Sequence, residues 1–113
     1  MPSLETEKLT THQIDMIQSA WDQIRVRLEI KKAHIYDEIG SYPPPIAACD
    51  QQFNFLLEER TSVSQELDEL NEAAAASLTI QESIQQMERF IRSSRYVDPE
   101  TERMIRSYLE RIA

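Results

Sequence analysis

Arginines near the C-terminus are the side chains in this sequence with the clearest potential for binding chemistry. Residues 1–88 contain six Lys or Arg and sixteen Asp or Glu, whereas residues 89–113 contain six Arg and four acidic residues. The planar guanidinium group forms paired hydrogen bonds with carboxylates and phosphates, so a cluster of arginines could bind a small anion. The alternative, which we favour, is that they pair with acidic side chains of the same chain. The cluster comprises Arg89, Arg92, Arg95, Arg103 and Arg106.

The two histidines and the single cysteine do not form a recognisable catalytic or metal-binding pattern. His34 is followed one helical turn later by Asp37 and Glu38, which would hold a cation only weakly, so we interpret it as a surface residue. Cys49 would need a nearby histidine or a helix N-terminus to become a nucleophile, and we interpret it as a buried structural thiol. The sequence contains no glycine-rich phosphate loop and no zinc-binding spacing. We therefore predict a non-enzymatic protein without a metal or cofactor.

The composition predicts an all-α protein. One glycine and five prolines leave few residues for hairpin turns, and the abundant Glu, Gln, Ala, Leu and Arg favour helix. A length of 113 residues suits one domain with a modest core. We predict a flexible N-terminus over residues 1–9 and a single helical domain over residues 10–113. The predicted helices of this domain span residues 11–40, 45–76, 79–95 and 99–112.

Apolar residues three and four positions apart predict that the first two helices pack against each other. The pattern is typical of a long antiparallel helical hairpin with coiled-coil-like packing. One or two shorter C-terminal helices would lie against this hairpin and complete a small bundle. The predicted packing seam consists of Ile17, Trp21, Ile24, Leu28, Ile35, Cys49, Phe53, Leu56, Val63, Leu67 and Leu70.

A proline-rich turn is predicted to connect these two helices. Gly40 suits the end of the first helix, and Pro45 suits the first position of the second, because proline is well tolerated there. A turn centred near residues 43–44 predicts that facing residues have numbers that sum to about 87. This register places Leu67 beside Trp21.

The second helix has two possible ends. No glycine or proline interrupts the chain between the proline cluster and Pro99, so one continuous helix of about 50 residues is one alternative. A break near residues 77–78 is the alternative that we favour, because Thr79 and Glu82 have the spacing of a capping box. Asp98 immediately before Pro99 is a strong signal for the start of the last helix.

Charge and targeting signals narrow the possible partners and the compartment. The net charge of −8 makes nucleic acid and anionic lipid poor partners and would suit a basic protein. No apolar run approaches the roughly 20 residues that span a bilayer, and the N-terminus lacks the pattern of a signal peptide. A single cysteine permits no disulfide within the chain. We expect a cytoplasmic protein that binds neither nucleic acid nor membrane.

Apolar residues outside the seam predict a binding function. A two-helix hairpin leaves them uncovered, and the C-terminal helices would cover only some. We expect a second subunit, in a two-fold homodimer, to cover the rest. The leading hypothesis is a protein–protein interaction module, such as an adaptor, a small regulatory subunit or a chaperone-like partner; the alternative is a helical bundle that binds a small anionic ligand or a metal ion. The residues outside the seam are Met16, Val26, Ile30, Phe55 and Leu57.

Overall fold

The computed structural model describes residues 4–47, 49–76 and 79–112, with side chains from residue 11 onward. All regular secondary structure in these ranges is helical, which confirms the predicted all-α class and the small helical bundle. The four helices are α1 Leu4–Gly40, α2 Gln51–Ala75, α3 Ile80–Ser93 and α4 Pro99–Ile112.

Side-chain contacts show how the helices are arranged. Arg25 Nε donates a hydrogen bond to Asn71 Oδ1 at 2.9 Å, and near the connecting loop Glu38 lines the same cleft as Gln52. Residue numbers therefore rise along α1 as those of its neighbours in α2 fall, so the two helices run in opposite directions. Gln13 Nε2 donates to the carbonyl oxygen of Ile112 at 3.0 Å, which places the end of α4 beside the first half of α1. The coiled-coil character of the α1–α2 packing stays a prediction.

One apolar core joins all four helices. Trp21 of α1 and Phe90 of α3 meet edge to face, with their ring centroids 5.9 Å apart. Burial of a large apolar side chain contributes about 1.5–3 kcal/mol, so these contacts provide the main favourable contribution to folding. The buried residues of the core are Ile17, Ala20, Trp21, Ile24, Leu28, Ile35, Val63, Leu67, Leu70, Ile84, Met87, Phe90, Ile91, Ile105, Leu109 and Ile112.

Two residues of the predicted seam, Cys49 and Phe53, are less buried than the others. Phe53 is half-buried, and its ring packs against Tyr42 with the centroids 5.1 Å apart. Cys49 lies in a turn before α2, and its side chain is exposed. The interpretation of Cys49 as a buried seam residue is therefore wrong, because the residue precedes the helix. The seam residues that are buried are Ile17, Trp21, Ile24, Leu28, Ile35, Leu56, Val63, Leu67 and Leu70.

α2 begins at Gln51 rather than at Pro45. Asp50 is its N-cap, since the Asp50 carboxylate accepts a hydrogen bond from the backbone N–H of Phe53 at 3.0 Å. Aspartate is among the best N-cap residues because its side chain satisfies an N–H group that has no partner within the first turn. Just before it, the carbonyl oxygen of Ala47 accepts from the N–H of Asp50 in a turn. The predicted start at Pro45 is therefore wrong.

The longer loop shifts the register of α1 against α2. The predicted sum of about 87 would place Arg25 opposite residue 62, whereas its guanidinium group binds Asn71. The difference of nine residues (71 minus 62) corresponds to about 13 Å along a helix, which exceeds the reach of an arginine side chain. The predicted register is wrong because it assumed that α2 starts at Pro45.

The N-terminal end of α1 also differs from the prediction. α1 begins at Leu4 instead of residue 11, so residues 4–9, for which the sequence predicts a flexible segment, are helical. Leu, Glu and Lys favour helix, so the composition of residues 4–9 is compatible with this extension. Residues 1–3 lie outside the described part of the chain.

The boundary between α2 and α3 agrees with the capping-box prediction. α2 ends at Ala75 and α3 begins at Ile80, while residues 77–78 lie outside the described ranges. Thr79 Oγ1 accepts a hydrogen bond from the N–H of Glu82 at 3.2 Å, and the Glu82 carboxylate accepts one from the N–H of Thr79. The alternative of one continuous helix is therefore wrong.

α1 and α2 extend well beyond α3 and α4. The chain measures 69 × 25 × 19 Å, and its radius of gyration of 18.1 Å exceeds the ~13 Å expected for a compact domain of 113 residues. α3 ends beside Glu66 of α2, to which the Ser94 hydroxyl donates a hydrogen bond, and Asp98, just before α4, lies near Arg27. Arg95 and Tyr96 reach as far as Glu59 of α2. Beyond this level the described helices are α1 and α2 alone, and we name this protruding part, residues 36–58, the arm.

Candidate interaction surface

Two of the five arginines of the predicted cluster bind carboxylates of this chain. Arg95 contacts the Glu59 carboxylate at 3.4 Å and the Ser62 hydroxyl at 3.2 Å, and both partners lie on α2. Arg106 binds the carboxylate of Glu102, one turn earlier on α4, at 3.0 Å. Both ion pairs join an arginine to an acidic side chain of the same chain, which is the alternative that the sequence analysis favours over anion binding. The other three members of the cluster are exposed and form no ion pair within the described residues: Arg89, Arg92 and Arg103.

The connection between α3 and α4, which we name the corner (residues 94–98), is anchored on α2. The Glu66 carboxylate accepts hydrogen bonds from the Ser94 hydroxyl and from the N–H of the next residue. The hydroxyl of Tyr96 donates to the backbone carbonyl of Glu59 at 3.3 Å. Burial of the Tyr96 side chain, followed by its contact with Glu59, raises the pKa of Tyr96 to about 12. These contacts hold the corner at a defined position on α2.

The loop at the tip of the arm is closed by a hydrogen bond between its two ends. The hydroxyl of Tyr42 lies 2.7 Å from both carboxylate oxygens of Asp50. The pKa of Asp50 is lowered mainly by the backbone hydrogen bond from Phe53 and then by the one from Tyr42. The negative carboxylate, which accepts this hydrogen bond, in turn raises the pKa of Tyr42. The sequence analysis predicted neither the Tyr42–Asp50 hydrogen bond nor the N-cap at Asp50. The N-cap was recognisable, because Asp50 lies three residues before Phe53, whose backbone N–H it binds.

The residues considered for metal binding or nucleophilic chemistry are all at the surface. His34, Asp37 and Glu38 are exposed on α1, and Cys49 is exposed in the loop. In the part of the chain that the structure describes, no group of three or more His, Cys, Asp or Glu side chains is arranged to hold a metal ion. This arrangement therefore adds no support to the metal-binding alternative.

An open apolar groove runs along the outer side of α1. Val26 and Ile30 of α1 and Met104 of α4 are its apolar residues, and they are 55%, 48% and 41% exposed. The groove has a volume of about 370 Å³. The residues that complete its lining are Ser19, Asp22, Gln23 and Arg27.

Helical periodicity explains why these residues share one side of α1. Ser19, Gln23, Val26 and Ile30 are four, three and four positions apart, so they follow one face of the helix. The sequence analysis identified Val26 and Ile30 as apolar residues outside the seam. Met104 joins them only through the packing of α4 against α1, which no local pattern in the sequence indicates.

The arm carries further uncovered apolar and aromatic side chains. Phe55 of α2 is 53% exposed, and Ile46 in the loop and Tyr36 of α1 are also exposed. The ammonium group of Lys32 lies 5.9 Å from the centre of the Tyr36 ring. The arm therefore presents much apolar surface that no described helix of the same chain covers.

Comparisons with known proteins do not assign this chain to a family. None of the family models, curated proteins or solved structures compared with it matches. Across residues 4–47, 49–76 and 79–112, no helix combines the length and the apolar character needed to cross a membrane. The fold thus defines a small all-α bundle with a protruding two-helix arm, and its function has to be inferred from its surface.

Proposed function

We propose that this chain is a non-enzymatic protein–protein interaction module of the cytoplasm, acting as an adaptor, a small regulatory subunit or a chaperone-like partner. The observation that supports the proposal best is the groove between α1 and α4. Exposed apolar side chains that lie together, as Val26, Ile30 and Met104 do, are typical of surfaces that bind other proteins. Without a partner, about half of the surface of each of these three side chains remains exposed to water.

An amphipathic helix with basic residues on its polar face is the occupant that fits this groove. From Ser19 to Ile30 the groove extends for about 16 Å, or three turns of an α-helix. α1 and α4 form its two sides, and a third helix can place its apolar residues between them as ridges fit into grooves. The net charge of −8 favours a partner that carries basic residues.

Site-specific photo-crosslinking in the native cell tests this proposal. A photoreactive residue at position 30 should capture a different protein that contains a basic amphipathic helix. The same residue at position 65, an exposed polar site on α2, is the control. Val26→Glu should abolish capture from position 30, because it places a charge in the apolar groove. Capture of the chain alone, or the same products from positions 30 and 65, would contradict the proposal.

A bundle that binds a small anion is the second candidate. Arg89 and Arg92 are exposed on one face of α3, three residues apart, and neither forms an ion pair within the described residues. Two neighbouring guanidinium groups can bind one phosphate. Native mass spectrometry in inorganic phosphate should show one adduct that Arg89→Gln/Arg92→Gln removes and the control Arg111→Gln retains. Elemental analysis of the same protein addresses the metal-binding alternative.

A further inference from the structure

The apolar groove lies on a face of α1 that continues to the tip of the arm. Ser19, Val26, Ile30, Asp37 and Ser41 are seven, four, seven and four residues apart, so they follow one side of the helix. Ser41 immediately follows α1, and its N–H still donates to the carbonyl oxygen of Asp37 at 2.9 Å. The first three residues line the groove, and the last two are exposed beyond it.

No described helix covers this face between the groove and the tip. Ala33, His34 and Asp37 are exposed along it. The corner binds the other helix of the hairpin, where Arg95 contacts Glu59. A bound partner can therefore continue from the groove along α1 without displacing the corner.

A cleft with acidic side chains lies at the tip end of this face. Ser41 lines the cleft, whose volume is about 750 Å³. Glu38 and Asp50 are part of its wall, and none of the described residues that line it is basic. Leu56 in the same wall offers apolar contact to the aliphatic part of a lysine or arginine side chain. The cleft therefore suits a long basic side chain.

The charge of the face differs between its two ends. In the groove, the negative charge of Asp22 is offset by the positive charge of Arg27. Beyond Ile30, the charged side chains of this face and of the cleft are acidic, with Asp37 on the face and Glu38 in the cleft. Complementary charges mainly determine the orientation and the choice of a partner. The acidic end should therefore select the basic end of a bound helix.

We propose that the partner helix of the interaction module extends along α1 from the groove to the tip of the arm, with its apolar residues over Val26 and Ile30 and its basic residues over Asp37 and in the cleft. A helix of about 22 residues covers the distance of about 33 Å from Ser19 to Ser41. The occupant is a segment of another protein in which an apolar helical stripe is followed by basic residues at one end. The inference rests on the proposed function, because it gives the polarity of the same partner.

Two designed peptides of about 22 residues test this polarity. Both carry leucines three and four positions apart, and at one end the first has lysines where the second has glutamates. Fluorescence anisotropy should give a dissociation constant about tenfold or more lower for the lysine peptide than for the glutamate peptide. Asp37→Lys/Glu38→Lys should abolish this preference. The control Asp68→Lys/Glu69→Lys makes the same change of charge at exposed positions of α2 and should retain it.

A nitroxide label at the lysine end of the first peptide tests its orientation. The label should broaden the NMR signals of the backbone amides of residues 37–41. It should leave those of residues 15–19 unchanged, because they lie about 27 Å or more from position 37 along α1. Equal broadening at the two ends of the face, or broadening of residues 15–19 alone, overturns the proposal.

The outcomes separate this inference from the proposed function. If both peptides bind equally and Val26→Glu abolishes both, the polarity is overturned and the groove stands. If neither peptide binds at about 100 µM but position 30 still captures a different protein, the inference is overturned and the interaction module stands. If the lysine peptide binds as expected and position 30 captures no protein, the inference is supported and the proposed function is overturned.

A second copy of this chain is the competing occupant of the face. Its binding would broaden the NMR signals of residues 26–41 as the concentration of the chain increases, without any peptide. We expect these signals to be independent of concentration up to about 100 µM. Broadening confined to residues 26–41 would assign the face to a second copy and overturn the proposal.

Discussion

The hydroxyl of Tyr42 and the carboxylate of Asp50 lie 2.7 Å apart and close the loop between α1 and α2. Because Asp50 is also the N-cap of α2, this one contact joins the end of the loop to the start of the helix. The start of α2 sets which of its residues face α1. The Tyr42–Asp50 hydrogen bond therefore links the loop that follows α1 to the residue that begins α2.

Removal of the Tyr42 hydroxyl should raise the pKa of Asp50. Tyr42→Phe keeps the ring contact with Phe53 and removes the hydrogen bond, so the pKa should move toward the ordinary value of 3.8. It should remain below that value, because the backbone N–H of Phe53 still binds the carboxylate. An NMR titration of the Asp50 carboxyl group measures the change. Tyr36→Phe, on the exposed side of α1, is the control, and an equal pKa shift in both variants would contradict the assignment.

Stability should decrease in acid because folding lowers the pKa values of Asp50 and Asp98. The folded chain favours the charged carboxylates, so their contribution is present above the unfolded pKa of about 4 and is lost as the pH falls through the folded values. Urea unfolding from neutral pH to about pH 3 should show this loss. In Asp50→Asn/Asp98→Asn the dependence should be weaker, and an unchanged slope would exclude these two groups as its source.

Alkaline conditions should destabilise the corner through Tyr96. Its pKa of about 12 exceeds the ordinary value of 10, so the folded chain favours the neutral phenol. The stabilisation is complete below the unfolded pKa of about 10 and is lost as the pH rises toward 12. Ultraviolet titration should show one tyrosine that ionises near pH 12 and is missing from Tyr96→Phe. Ionisation of every tyrosine near pH 10 would disagree with the burial of Tyr96.

Loss of the α3 cap should lower stability by about 1 kcal/mol. Thr79→Ala removes the hydroxyl that accepts a hydrogen bond from the N–H of Glu82, and it leaves the core unchanged. Urea unfolding measures the difference. Thr61→Ala in the exposed interior of α2 is the control, for which we expect about 0.5 kcal/mol or less. Equal losses in the two variants would show that the cap has no special effect.

A cavity at the centre of the bundle should lower the free energy of unfolding by more than the loss of the α3 cap does. Leu70 is fully buried where α2 meets the core, so Leu70→Ala should destabilise the fold by about 2–5 kcal/mol. Ile14→Ala removes a comparable volume from an exposed position and should cost about 1 kcal/mol or less. Thermal unfolding of both variants, with the wild type, checks the ranking. A reversed ranking would contradict the core described above.

Local signals predicted the helices better than their packing. Thr79 with Glu82, and Asp98 with Pro99, indicated two helix starts correctly, because capping depends on a few neighbouring residues. Asp50 carries the same signal, but the prediction preferred the proline cluster before it. That choice shortened the loop and caused the errors in the register and in the burial of the single cysteine.

The surface was less predictable than the helices. Arg95 and Glu59 are 36 residues apart in sequence, and their contact depends on the position of the corner on α2. Val26 and Ile30 were recognisable as apolar residues outside the seam. Their exposure beside Met104 depends on how α4 lies against α1, which is a long-range property of the packing.

The sequence by itself determined an all-α chain with a buried seam, a capped third helix and a capped fourth helix. Helix propensity, three-to-four spacing and capping act within a few residues, so they can be recognised without a structure. Only the tertiary structure decided the register of α1 against α2 and the length of the arm beyond the corner. It also decided which apolar side chains remain uncovered: Met16 and Leu57 are half-buried, whereas Val26 and Phe55 are exposed. These outcomes depend on contacts between residues that are distant in sequence.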